Sequence, residues 1–194
     1  MFINWQLREL NLKIVYYGPA LSGKTTNLEQ IHARVHSRRR SELLSLKTEG
    51  DRTLYFDFLQ LELGKIAGLT PKIHLYTVPG QAYYEASRKI VLRGADGVVF
   101  VADSAPERIR DNLRAWSNMH LHFESLGLPA DIPLVVQFNK RDLPRVVPAV
   151  VIGKALKING QPTFEAVALR GHGVLDTLKS ITGLVIRNVQ RQTA

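Results

Sequence analysis

The stretch Tyr17-Gly18-Pro19-Ala20-Leu21-Ser22-Gly23-Lys24-Thr25-Thr26 fits the pattern G-x-x-x-x-G-K-[ST]. Each fixed position meets a requirement of phosphate binding: a backbone that curls so several N–H groups point inward, a helix N-terminus behind them, and one cation reaching forward. Gly18 and Gly23 allow the curl, and Ala20, Leu21, Ser22, Gly23, Lys24, Thr25 and Thr26 form the expected phosphate-contacting run. Lys24 supplies the cation, and the Thr25 hydroxyl at the helix start is placed to ligate a Mg²⁺ that bridges the β- and γ-phosphates. Ala20 adds a methyl group that crowds the space beside a γ-phosphate. The competing reading is a glycine-containing strand-to-helix turn that only packs well.

A second constellation, Asn139-Lys140-Arg141-Asp142, follows an apolar run ending at Phe138 and matches [NT]-K-x-D. The Asp142 carboxylate can accept hydrogen bonds from both N1–H and the exocyclic amine of guanine, a donor pair that adenine lacks on that edge. Asn139 braces the adjoining loop, and the Lys140 stem covers a ring face. Near Val167 and Ala168 the chain is expected to pass behind the base, with a backbone N–H available to guanine O6. Taken alone, the tetrapeptide also reads as an ordinary polar loop after a strand.

Two further segments fill the remaining roles of nucleotide hydrolysis. Thr77-Val78-Pro79-Gly80-Gln81 stands where GTP-hydrolysing proteins usually carry D-x-x-G followed by glutamine. The Gly80 amide is expected to meet the γ-phosphate, and Gln81 to orient the attacking water. The Thr53 hydroxyl is a second expected Mg²⁺ ligand, and Arg52 beside it a source of positive charge during transfer.

These residues need strands that deliver them to one edge. Residues 10–17 read as a strand entering the phosphate loop, and Leu28, Ile31 and Val35 mark the helix after it. Residues 36–52 read as a loop, 53–63 and 72–78 as strands. The connection between those two strands is too short for a crossover helix, so they should pair antiparallel. Residues 97–103 and 133–139 are nearly continuous apolar runs, as central parallel strands covered on both faces require. Leu113, Trp116, His120 and Phe123 mark the core face of an intervening helix. A short helix near residues 150–156, a weaker strand at 162–167 and an amphipathic C-terminal helix complete the pattern. The expected architecture is a single α/β domain over residues 1–194: a three-layer open sheet, mostly parallel with one antiparallel edge strand, its ligand along the carboxyl edge.

At 194 residues one domain is the expectation, and 45% hydrophobic with 22% charged residues argues against a disordered chain. No apolar run is long enough to span a bilayer and no signal peptide opens the chain, so a cytoplasmic location is expected. There is no cysteine, which excludes disulfides and thiolate metal sites. The six histidines form no convincing zinc arrangement. Lysine and arginine number 26 against 17 acidic residues, a formal charge of +9 that raises nucleic acid or anionic lipid as a partner. The densest basic run, Arg34 to Arg40, is not interleaved with aromatic residues as single-strand binding requires.

On these motifs, together with Asn27-Leu28, Asp51-Arg52-Thr53-Leu54, His74-Leu75-Tyr76, Ala86-Ser87-Arg88-Lys89 and Val99-Phe100-Val101-Ala102-Asp103-Ser104, the sequence resembles the Ras-like small GTPases. Within them it is similar to the bacterial MglA family of polarity and gliding-motility GTPases, of P-loop NTPase fold. The resemblance implies a GTP/GDP switch with Mg²⁺ in the cytoplasm, monomeric when alone, its active form gathered at a cell pole. It further implies a roadblock-type homodimeric activator similar to MglB, and polarity or motility effectors. The activator positions the residues matching Arg52 and Gln81 without lending one of its own. Thr77 in place of the usual aspartate is characteristic of the family, so the surroundings of Mg²⁺ must be completed otherwise, with Asp57 the carboxylate to consider. Ala20 departs from the glycine of better-known relatives and bears on hydrolysis rate more than on binding; the basic balance and Arg38-Arg39-Arg40 depart as well. Two other readings compete: a scaffold that binds GTP with little turnover, and a nucleic-acid-associated GTPase, ranked low because no RNA-binding module is visible.

Overall fold

The structure is a computed structural model that describes residues 1–47, 55–66, 68–80 and 84–193. Strands β1 (Phe2–Asn4), β2 (Glu9–Tyr17), β3 (Leu44–Lys47), β4 (Tyr55–Glu62), β5 (Thr70–Thr77), β6 (Gly97–Asp103), β7 (Leu134–Asn139) and β8 (Thr163–Glu165) form one sheet. Its order is β3-β4-β5-β2-β6-β7-β8, with β1 added to β2. Strands β5, β2, β6, β7 and β8 run parallel, whereas β4 pairs antiparallel with β5, as its short connection requires.

Helices α1 (Lys24–Arg34), α2 (Glu85–Leu92), α3 (Ile109–Leu126), α4 (Ala149–Ala155) and α5 (Val174–Thr193) cover both faces. The pleat of β2 explains how. Leu12, Ile14 and Tyr16 point into one core with Leu28 and Ile31 of α1 and Val174, Ile181 and Val185 of α5. Val15 and Tyr17 point into the other, with Val91 and Leu92 of α2, Met119 and Phe123 of α3 and Ile152 of α4. Every residue of β6 and β7 is buried, which accounts for their nearly continuous apolar runs; the exception inside β7, Gln137, is satisfied by Asn27 and Thr177.

Three local expectations change. Within the segment read as a loop, Ser37–Arg39 forms a 3-10 turn and Leu44–Lys47 forms β3, an edge strand that exists by pairing antiparallel with β4. Phe2–Asn4 also forms a strand, antiparallel to β2. On α3 the inward face runs through Asn112, Met119, His122 and Phe123, while Leu113 is 37% exposed. His122 goes inside because Tyr17 Oη lies 3.2 Å from its Nδ1.

Candidate functional site

Strand β2 delivers the chain into the 18–23 loop, and Gly23 turns it into α1 with φ of 100°. A side chain there would be strained by that φ, and its Cβ would lie 2.2 Å from Asn139 Nδ2. Lys24 folds back across the loop, donating to the carbonyls of Gly18 (3.1 Å) and Pro19 (2.7 Å), and is 7% exposed. Burial pushes its ammonium down from 10.5 to about 7; Arg88 and Arg108 lower it and Asp57 raises it. Cationic charge is therefore concentrated beneath the loop, where an anion would relieve it. Ser22 is fully buried and its Oγ has no hydrogen-bond partner, a group that suits an oxygen-rich ligand. Leu21 is exposed with φ of 62°, and Thr26 follows Thr25 in the first turn of α1.

The Thr25 hydroxyl donates to Asp57 Oδ2 at 2.6 Å. Asp57 lies on β4 between Ser45 of β3 and Thr77 of β5, because the antiparallel registers bring all three to one face. Thr77 Oγ1 donates to the same oxygen at 2.8 Å and accepts from Asp57 N at 2.9 Å; Ser45 Oγ donates to Oδ1 at 2.7 Å. The carboxylate missing from position 77 thus reaches the Thr25 hydroxyl from the neighbouring strand. A hydroxyl beside an oriented carboxylate is a hard-oxygen donor set of the kind Mg²⁺ takes alongside phosphate oxygens. Gly80 lies directly on the phosphate loop, since a Cβ built there would be 2.4 Å from both Cα and N of Ala20. Arg52, Thr53 and Gln81 lie outside the described residues.

Asn139 joins the two motifs. Its Nδ2 donates to the Ser22 carbonyl at 2.8 Å, and its Oδ1 accepts from the Ala168 amide at 2.8 Å. The Val167 amide donates to His172 O at 3.1 Å. Neither backbone N–H of the segment expected to offer one to guanine O6 is open: the Val167 amide closes the local turn, and the Ala168 amide fixes the loop against Asn139. Lys140 has φ of 65° and its ammonium reaches Asp103 Oδ2 at 2.6 Å. Asp142 is exposed, and the turn bearing it is held by Arg141 N to Ala166 O at 3.1 Å. Behind the site, Asn27, Gln137 and Thr177 form a buried network that locks α1 and α5 onto β7.

Sequence reasoning missed Arg108 and Asp103. Arg108 Nη2 donates to the Ala20 carbonyl at 2.7 Å and its Nη1 pairs with Asp111 at 2.6 Å, so a residue 88 positions away holds the phosphate loop from outside. Nothing in local spacing announces that contact. Asp103, 1% exposed, ends β6 in the run Val99 to Ser104, but its partner Lys140 comes from β7 pairing beside it.

Over 191 residues, 98% of both chains, the protein is 50% identical to the mutual gliding-motility protein MglA of Myxococcus xanthus. It is 28% identical to ADP-ribosylation factor-like protein 6 of Caenorhabditis elegans over 153 residues, 79% of this chain and 73% of the relative. No family model matches.

Proposed function

The chain belongs to the MglA family of Ras-like small GTPases, and on that premise we propose that it is a GTP/GDP switch serving cell polarity and gliding motility. The observation that carries this reading is the bridge at Asn139: one side chain bonds both the phosphate loop, at Ser22, and the loop behind the base, at Ala168, while Asp142 stays open to ligand. Phosphate-gripping and purine-reading turns therefore meet at the carboxyl edge of one sheet.

In the cycle, Lys24 and the amides of the 18–26 segment hold the phosphates, and Asp142 selects guanine. Thr25 and Thr53 would hold Mg²⁺, and Asp57 orients the Thr25 hydroxyl toward it. When bound there, Mg²⁺ would supply neutralisation of phosphate charge. Gln81 orients water and Arg52 places positive charge on the γ-phosphate, both set in position by an MglB-like roadblock homodimer. Gly80, at the surface of Ala20, is the place where a γ-phosphate separates or restores two contacting loops, and so where effectors would read the nucleotide.

Single-turnover GTP hydrolysis tests the proposal. The intrinsic rate should be about 10⁻⁴ to 10⁻³ per second, rise with the activator, and be lost in both Gln81→Leu and Arg52→Ala. The close approach of Gly80 to the Ala20 backbone, with Ala20 in place of glycine, favours the second reading, a nucleotide-locked scaffold, and retention of GTP despite the activator would establish it.

A further inference from the structure

The end of the sheet opposite the nucleotide carries an apolar tip ringed by cations. Strands β1 and β2 are joined by the turn Trp5 to Arg8, with Trp5 73%, Leu7 64% and Phe2 65% exposed. The adjacent turn between β4 and β5 is tied to it by Thr70 N donating to Arg8 O at 2.8 Å. Arg8, Lys65, Arg187 and Arg191 are exposed here, because α5 ends at this edge, with Val189 packed in the same core as Leu10 at the start of β2. Arg38 and Arg39 join them, since the bridge from Arg40 to Leu61 sets the 3-10 turn beside the last residues of β4. Of the nearby acids, Glu9 pairs with Lys72 at 2.6 Å and Asp96 pairs with the N-terminal ammonium and accepts from Lys13 N, while Glu62 at the end of β4 is exposed among the cations.

We propose that this edge is a peripheral membrane-binding surface, in which Trp5, Leu7 and Phe2 enter the interface of an anionic bilayer and the surrounding arginines and lysine meet its headgroups. A protein partner would need about 1,000 Å² of matched surface to bind stably, and a hairpin tip with Trp5 and Leu7, plus Phe2 at the other end of β1, offers much less. A bilayer makes no such demand. Tryptophan favours the headgroup boundary, and each nearby cation adds attraction to anionic lipid. The excess of cations over acids in the whole chain, +9, is complementary to that partner. Docked this way, the protein would turn its nucleotide edge away from the bilayer and leave it open to regulators.

The test uses flotation of the GDP-bound full chain with phosphatidylcholine vesicles, with and without phosphatidylglycerol, plus Trp5 emission in a Trp116→Phe background. Binding should require phosphatidylglycerol, weaken with salt, and shift Trp5 emission to the blue. Trp5→Ala with Leu7→Ala, and separately Arg38→Glu with Arg39→Glu, should each weaken it by more than about tenfold with GDP affinity unchanged. The proposal is overturned by absence of flotation, by equal flotation on neutral vesicles, or by indifference to Trp5 and Leu7. Self-association or RNA retention lost in the same variants, without vesicle binding, would assign the surface to those occupants instead.

Discussion

Replacing Asp57 with asparagine keeps the side chain's size and removes the negative charge beside the Thr25 hydroxyl. The carboxylate accepts from Thr25, Thr77 and Ser45 at 2.6, 2.8 and 2.7 Å. An amide nitrogen cannot accept, so at least one hydroxyl must reorient. A Mg²⁺ ligated by Thr25 at about 2.1 Å from its oxygen would lie within about 5 Å of Asp57. At that separation a dication and a unit charge attract by about 1.7 kcal/mol even with water-like screening, so Mg²⁺ retention should weaken roughly 20-fold. The assay is release of a fluorescent GDP as Mg²⁺ is varied. The midpoint for Asp57→Asn should move up by that factor, with release rates converging at saturating Mg²⁺. Exchanging the residues, Asp57→Thr with Thr77→Asp, returns a carboxylate to the adjacent strand and should recover most of the loss. A midpoint within about twofold of the parent would show that Asp57 does not support the metal, since a purely structural carboxylate changes stability and leaves Mg²⁺ dependence alone.

Asp142→Asn should weaken GTP binding about 100-fold, the loss of a charge-assisted donor pair, and favour xanthosine triphosphate; competition binding decides, and unchanged GTP affinity would remove Asp142 from base reading. Burial lowers the Lys24 pKa from 10.5 to about 7. The nucleotide-free protein should therefore gain stability as pH rises through that window, because the unfolded chain still holds the proton the folded chain has released. The destabilisation from the buried charge is fully present below about pH 7, and thermal melts across this range check the direction. Triphosphate should raise the same pKa, so calorimetry at pH 8 in buffers of different ionisation enthalpy should show uptake of about 0.9 proton, and none if Lys24 does not grip the phosphates. Gly80→Ala places a Cβ 2.4 Å from the Ala20 backbone; GDP affinity should stay within about threefold while single-turnover hydrolysis falls more than about tenfold, and unaffected hydrolysis would contradict the contact's role.

The phosphate loop and the Asn139 motif were legible because their chemistry is local: Gly23 is needed for its φ, and Lys24 and Asp142 for their charge. Strands β6 and β7 were legible because burial on both faces leaves nearly continuous apolar runs, broken inside β7 only by Gln137. Strand β3 was not, since Leu44-Ser45-Leu46-Lys47 is too short for its period to stand out, and it becomes a strand through its partner. Asp57 could be named as a carboxylate, but its contact with Thr25 depends on antiparallel register between strands far apart in sequence. The hold of Arg108 on Ala20 is likewise a product of packing. At Val167 and Ala168 the segment was found, but the amides' partners, His172 and Asn139, are set by tertiary structure.

Titration of the nucleotide-stripped protein with GTP, GDP and ATP in Mg²⁺ tests most directly whether the two loops joined by Asn139 form one guanine-nucleotide site. Guanine nucleotides should bind at about micromolar or tighter, with ATP at least about 100-fold weaker. Equal affinity for ATP, or no binding of guanine nucleotide, would contradict the account.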